Sequence, residues 1–220
     1  MKHITKRMLA LMLALAATLS LSGCSLFAQF DASGYTQAVL DATTRAEFDK
    51  YIELTNSTAE DAQAEYDEVL ESFLAEFKSL SISDELLENY KQLFIDLLAK
   101  TKYSVGEAEK DGNNFLVPLT IEPLIIYEGF NDEVEEANAA FQEEVIAEYN
   151  ESGEMPSDEE IYERSFQIMY DIMSARLASA TYGEPQTLTI TVSQNSDGLW
   201  NISDSDYEAI VSLLIDQNQE

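Results

Sequence analysis

A short apolar run that ends beside the only cysteine of the chain decides which residues are available for folding. The chain opens with Lys2, Lys6 and Arg7, without an acid, before the apolar stretch from Met8 to Leu21. This stretch would be about 21 Å long as a helix. A permanent membrane span needs about 20 residues. The pattern therefore predicts a signal segment that is removed, rather than a transmembrane helix.

The residues that follow this run have their own pattern. Leu21-Ser22-Gly23-Cys24 is similar to the bacterial lipobox, in which a small residue precedes a cysteine that receives diacylglycerol before cleavage. We expect a signal peptide at 1–23, a lipidated tether at 24–33 and a single domain at 34–220. Two acyl chains make a stable anchor, so the expected partner is the membrane, bound through Cys24 at the extracytoplasmic face. An ordinary secretory signal and a retained signal anchor are the alternatives.

Charge and missing residue types limit what the mature chain can do. The signal holds three of the 12 basic residues and none of the 42 acids, so the chain from Cys24 carries a net charge of −33. Such a surface repels nucleic acid and anionic lipid headgroups. The single histidine is His3, inside the signal, which leaves no Ser-His-Asp triad, Cys-His pair or imidazole or thiolate metal site. We expect no catalytic residue, cofactor or metal.

Helical spacing of apolar residues dominates the first part of the mature chain. It predicts a helix from Tyr35 to Ile52 and a second from Ser57 to Ser79, opened by a capping box of Ser57 and Glu60. A third helix is predicted after Ser83, where a serine precedes two acids.

After the third predicted helix, apolar and polar residues alternate instead of recurring at helical spacing. The predicted elements are a strand at 103–109, a turn at Asp111-Gly112, a strand at 115–127, helices at 132–150 and 158–180, strands at 186–192 and 199–203, and a helix at 204–217. Pro118 and Pro123 lack the N–H that a ladder requires, which predicts that their strand lies at an edge or on a bulge. Ser157 and Glu160 form another capping box. We therefore expect an α+β fold, with N-terminal helices on a curved antiparallel sheet of about four strands, a helical pair inserted between two hairpins and a C-terminal helix.

Several local patterns resemble small Gram-positive lipoproteins that carry an uncharacterised domain. They include Tyr35 to Asp41, the acidic helix from Ser57, Lys102 to Val105, and Asp197-Gly198-Leu199-Trp200-Asn201-Ile202. The domain is related to the cone-shaped nuclear-transport-factor/cystatin-like fold. The resemblance implies a fold and a compartment, and no catalytic residue. The helical pair at 132–180 departs from the minimal cone, and we expect it to cover or extend the open mouth.

Three patterns invite sharper interpretations. Ser193, Asn195, Asp197, Gly198 and Asp204 fall at the spacing of a calcium loop, but a hairpin turn explains them better. The acidic runs at 133–136, 143–144 and 158–160 could hide a glycosidase-type carboxylate pair, although a solvated helix face is the simpler interpretation. We expect Tyr66, Tyr90, Tyr149 and Trp200 to be core or rim residues rather than a binding platform.

These observations favour a non-enzymatic envelope lipoprotein whose domain binds a small ligand or an envelope protein. Two alternatives remain: a carboxylate-dependent hydrolase of cell-wall glycans, and a purely structural surface component. An apolar cavity under the sheet would favour the binding role, and a filled cone would favour the structural role. A secluded acid of raised pKa that faces a second, ionised acid would favour the hydrolase.

The anchor itself can be tested by removing the thiol. In Cys24→Ser the acceptor of diacylglycerol is absent, so we expect an uncleaved precursor or release of the protein from membranes. Metabolic labelling with a fatty acid should mark the wild type and leave the variant unmarked. A wild-type protein without labelled lipid, still carrying residues 1–23, would contradict the assignment.

Overall fold

The structure, a computed structural model, describes residues 30–215 apart from 79, 81 and 197, and apart from the side chain of residue 76. The helices are α1 (Ala32–Arg45), α2 (Asp49–Thr55), α3 (Ala59–Lys78), α4 (Asp84–Ala99), α5 (Phe130–Ser152), α6 (Asp158–Ala178) and α7 (Asp204–Leu214). The strands are β1 (Lys102–Val105), β2 (Glu109–Asp111), β3 (Asn114–Glu122), β4 (Leu124–Ile125), β5 (Thr181–Tyr182), β6 (Gln186–Gln194) and β7 (Trp200–Ile202). The predicted α+β class is confirmed, including the helical pair between two hairpins.

One antiparallel sheet organises the molecule. It runs in the order β1–β3–β6–β7, and β2 continues beside β3 where β1 ends, so that four strand positions form a curled half-barrel. The pairing of β3 with β6 extends from Phe115 opposite Val192 to Ile121 opposite Gln186. A small second sheet pairs β4 with β5. The C-terminal hairpin, predicted from its turn residues, is confirmed by the pairing of β6 with β7.

Alternation along the strands decides which face is covered. In β3 every second residue from Phe115 to Ile121 is buried, and the residues between them are half-buried. The helices α1 and α7 contact this strand, and α7 also contacts β6. The concave face of the half-barrel therefore forms the core with these two helices.

The predicted single helix from Tyr35 to Ile52 is wrong, because the chain forms two helices there. Ala46 has a left-handed φ of 53°, and the Glu47 N–H donates to the carbonyl of Asp41 at 3.3 Å. This bond belongs to a Schellman-type helix end. Such an end is normally marked by glycine, so an alanine in that position left no signal in the sequence.

The helix N-termini follow side-chain capping closely. Ser83 accepts the Leu86 N–H, and Ser157 with Glu160 forms the complete capping box, as predicted. The box predicted at Ser57 is wrong by one residue, since Thr58 accepts the Asp61 N–H at 3.1 Å and donates to its carboxylate at 2.7 Å. Thr58 thus satisfies the N–H of Asp61 in the first turn, and α3 begins at Ala59.

Proline in the sheet is accommodated by an interruption of the neighbouring strand. β3 lies between β1 and β6, so its predicted edge position is wrong. The Pro118 carbonyl accepts the Gly106 N–H at 2.7 Å, on the side where β1 has ended and β2 has not begun. In an antiparallel strand the N and O atoms of one residue point to the same side. The missing donor of Pro118 therefore faces the irregular segment 106–108, which fits the predicted bulge.

The inserted helical pair extends the helical layer. The main partner of α5 is α6, and α6 also packs on α4. Arg176 of α6 donates to the carbonyls of Ile126 and Glu128 at 3.0 and 2.7 Å and to the carboxylate of Glu133 at 2.7 Å. This one guanidinium therefore fixes the start of α5 to the end of α6. Within the part of the chain that the structure describes, none of the helices has the length and apolar character to cross a bilayer.

The contribution of this guanidinium can be measured by substitution. Arg176→Gln removes a donor from two backbone carbonyls, and we expect the free energy of unfolding to fall by about 2 kcal/mol. The matched variant is Arg164→Gln, because Arg164 also pairs with glutamates but is more exposed. Its loss should be about 1 kcal/mol or less. Urea denaturation of both variants tests the difference, and equal losses would contradict the structural role of Arg176.

Candidate functional site

The predicted lipid attachment residue, Cys24, lies outside the described residues, as do the signal peptide and most of the tether. The described chain starts at Phe30, whose ring stacks on Trp200 with centroids 4.2 Å apart. The Asp31 side chain then accepts the Gly34 N–H and caps α1. Within the described chain, Phe30, six residues after Cys24, is thus already packed against the last strand.

The concave face of the half-barrel is filled by side chains. Its buried strand residues are Phe115, Val117, Leu119, Ile121, Ile190, Val192, Trp200 and Ile202. Tyr35 and Val39 from α1, with Ile210 and Val211 from α7, are buried in the same core cluster. The tyrosine hydroxyl of Tyr35 donates to the Trp200 carbonyl at 2.9 Å, which ties α1 to the last strand. The interior thus serves as the hydrophobic core.

Four buried polar atoms of this region have no hydrogen-bond partner among the described residues: Thr36 Oγ1, Trp200 Nε1, Asn201 Oδ1 and Tyr207 Oη. Burial raises the pKa of Tyr207 far above its ordinary value, so this hydroxyl stays protonated. Buried groups of this kind normally bind ordered water. These four atoms are isolated polar groups within the core, and they do not by themselves form a binding site.

Glu65 is a carboxylate held between two helices. The Tyr51 hydroxyl of α2 donates to it at 3.1 Å. Burial raises the pKa of Glu65, the Tyr51 bond opposes that shift, and Asp61 and Glu68 of the same helix add to it. Glu65 is therefore a half-buried acid of raised pKa, but it lies on α3 against a tyrosine rather than on the concave face of the sheet, where a hydrolase would need a secluded acid.

The exposed large apolar side chains lie on the distal part of the helical pair. We call residues 144–164 the helical tip; it comprises the end of α5, the loop and the start of α6. Among the described residues, the exposed large hydrophobic side chains are Ile146, Tyr149, Met155 and Tyr162, which are 47% to 60% exposed. All four belong to the helical tip. Ile146 and Tyr149 are three residues apart on α5 and so share one face.

A pocket of about 400 Å³ opens at the helical tip. It is lined by Glu148, Ser152, Glu154, Met155, Pro156, Glu160, Glu163 and Arg164. Arg164 pairs with Glu144 at 2.9 Å and Glu148 at 3.0 Å, and its guanidinium lies 4.7 Å from the centre of the Phe141 ring. The single base of the pocket is therefore already neutralised by acids of α5.

Two of the three remaining acids of the pocket, Glu160 and Glu163, accept hydrogen bonds from serines. Hydrogen bonds from Ser157 lower the pKa of Glu160. Glu163 accepts the backbone N–H of Ser83 at 2.6 Å. Glu154 has no ion pair within the described part of the chain. The helical tip as a whole contains eight acids and one base, so its apolar side chains lie in a strongly negative field.

The aromatic residues predicted to be core or rim residues differ in their burial. Tyr66, Tyr90 and Trp200 are buried in the core, whereas Tyr149, also predicted to be a core or rim residue, is 47% exposed and so lies at the rim. Its place on the apolar stripe of α5 gave no warning, since that stripe runs past the end of the surface that α6 covers. The acidic runs at 143–144 and 158–160 lie in or beside the helical tip. The tip was not predicted, although four apolar residues among eight acids are visible in the sequence.

Comparison with known proteins identifies a similar fold. The crystal structure of ycdA, a candidate lipoprotein from Bacillus subtilis, superposes with a TM-score of 0.50 and 17% sequence identity. The match covers 86% of the present chain and 57% of that protein, so the chain spans little more than half of its length. At this identity the likeness shows the fold alone. No protein-family model matches the chain, and no curated protein matches it.

The environment of Glu65 generates a prediction with a defined sign. Because its pKa is raised in the folded chain, folding takes up a proton between the ordinary and the raised value, and stability falls as pH rises through that window. Glu65→Gln removes this half-buried charge and keeps an acceptor for the Tyr51 hydroxyl. We therefore expect a higher Tm than wild type at pH 7 and a smaller gain below the ordinary pKa of 4.5.

Glu184→Gln is the matched control. It removes the same charge from the same acidic chain, but Glu184 is exposed, so its carboxylate is not desolvated by burial. Thermal unfolding of both variants from pH 4 to pH 7 measures the difference. An equal gain from the two substitutions would show that general charge repulsion, and not the burial of Glu65, is responsible.

Proposed function

We propose that this chain is a membrane-anchored envelope lipoprotein whose folded part is non-enzymatic and binds a partner protein through the helical tip. The anchor is supported by the basic start, the short apolar run and the position of Cys24. The fold of a candidate lipoprotein supports the same compartment in a coarser way. The binding role of the helical tip is supported by the exposure of its large apolar side chains.

The observation that carries the binding role is the distribution of apolar side chains. The half-barrel interior is occupied by the core, so a ligand would have to displace packed side chains there. The exposed large hydrophobic residues are instead gathered within the helical tip, next to an open pocket. Scattered single hydrophobic residues need no explanation, whereas a local concentration is typical of interaction surfaces.

The proposed tether sets which end of the folded part lies near the bilayer. Six residues lead from Cys24 to Phe30, and they span at most about 20 Å. Since Phe30 stacks on Trp200, the end of the half-barrel that carries Trp200 would stay near the bilayer. The partner is then a protein of the envelope that reaches the same layer.

Each of the two alternative functions is supported by a different observation. The filled half-barrel favours a structural surface component that binds nothing, and the raised pKa of Glu65 favours a glycan hydrolase. A relationship to the nuclear-transport-factor/cystatin-like fold is likewise a proposal, supported by a half-barrel with helices across its concave face.

Site-specific photo-crosslinking on intact cells tests the proposal. A chain with p-benzoylphenylalanine in place of Tyr149 should crosslink one defined envelope protein. The matched chain carries the same residue in place of Ala175, an exposed position on α6 outside the tip, and should not give that product. If the two positions give the same products, or position 149 gives none, partner binding by the tip is refuted and the structural role gains support.

A further inference from the structure

We infer that the partner segment that docks on the helical tip is a cationic polypeptide with apolar side chains on its contact face. This inference rests on the proposed function and adds the chemistry of the partner. Three features of the tip carry it: its exposed apolar residues, its uncompensated acids and its rigidity.

The apolar residues set the first requirement. Ile146 and Tyr149 project from one face of α5, Met155 from the loop and Tyr162 from α6, and each leaves about half of its surface in water. Covering these side chains releases that water, which requires apolar groups on the partner. A purely polar cation would leave them exposed.

The acids set the second requirement. With eight acids against one base that is already paired, the tip repels a second copy of this chain, anionic headgroups and nucleic acid. Opposite charge on the partner would both accelerate encounter and fix its register. A lysine or arginine is suited to the pocket, because its stem can pack on Met155 and Pro156 while its charged end reaches Glu154 or Glu163.

Contacts within the tip hold its two helices together, which favours binding. The capping box of Ser157 and Glu160 fixes the start of α6, and Gly153, with a φ of 75°, ends α5. Arg164 joins the two helices across the pocket through Glu144 and Glu148. A surface that internal contacts already hold in place loses less conformational entropy on association.

The test uses the full mature chain in nanodiscs of neutral phosphatidylcholine, with empty discs as background. Three labelled peptides are compared by fluorescence anisotropy: an amphipathic Lys/Leu peptide, a Lys/Ser peptide of equal charge, and a Glu/Leu peptide of equal hydrophobicity. We expect the Lys/Leu peptide to bind at least about tenfold more tightly than either of the others. Its affinity should fall as salt is raised, because the charges lie at the surface.

Substitutions then locate the site. Ile146→Gln with Met155→Gln should weaken Lys/Leu binding about tenfold, and Glu154→Lys should weaken it and reduce the dependence on salt. The matched controls are Ala175→Gln on the same helical pair and Glu184→Lys on the loop after β5, which should bind like wild type. Far-ultraviolet circular dichroism and Tm confirm that each variant is folded.

The outcomes separate this inference from the proposed function. Equal affinity for the Lys/Leu and Lys/Ser peptides, or binding that the tip variants leave unchanged, overturns the inference in favour of diffuse attraction. Absence of peptide binding, with a defined protein crosslinked at position 149, overturns the chemistry assigned to the partner and leaves partner binding intact. Absence of both refutes the two together.

Discussion

The antiparallel pairing of β3 with β6 is the constraint on which the rest of the molecule depends. It joins the two hairpins in one register from Phe115 to Ile121, and it places the alternate residues of both strands on the concave face. A shift by one residue would expose every one of these buried side chains. The register therefore fixes the half-barrel, and α1 and α7 complete the core against it.

The same pairing explains how a long helical insertion is tolerated. Residues 123–185 leave the sheet after β3 and return at β6, and the entropic cost of closing a loop grows by only about 0.6 kcal/mol for each doubling of its length. The insertion also supplies its own connections, because β4 pairs with β5 at its base and Arg176 ties its first helix to its second. Its distal end is consequently free of the demands of the core. That freedom is what allows apolar residues to stay exposed at the helical tip.

Several elements could be predicted from the sequence because the interactions that form them are local. The caps at Ser83 and Ser157 depend on side chains within one turn of the backbone, and alternation in β6 depends on its own residues. The end of α1 at Ala46 escaped prediction because the left-handed residue is an alanine stabilised by a bond between Glu47 and Asp41. The central position of β3 could not be predicted, because the missing N–H of Pro118 is accommodated by the irregular segment between β1 and β2.

The site was harder to predict than the fold, for a related physical reason. An apolar stripe on a helix shows which residues could be buried, but only the partner helix decides how far along the stripe burial extends. On α5 the stripe is covered at Val134, Phe141 and Val145 and is open at Tyr149. The sequence contains both the apolar residues and the acids of the tip, yet their exposure is a property of the tertiary arrangement.

The proposed anchor and the acidic surface act in opposite directions, and together they define what can approach. Lipid on Cys24 would hold the chain at the bilayer, while a net charge of −33 on the mature chain is repelled by anionic headgroups within about 8 Å at physiological salt. A tether of six residues before Phe30 leaves little room for the folded part to move away. The surface that remains accessible attracts cations and excludes polyanions. An exposed apolar tip in that negative field would therefore select a partner that carries positive charge beside its apolar groups. A partner that must satisfy both requirements is more narrowly defined than one that must satisfy either alone.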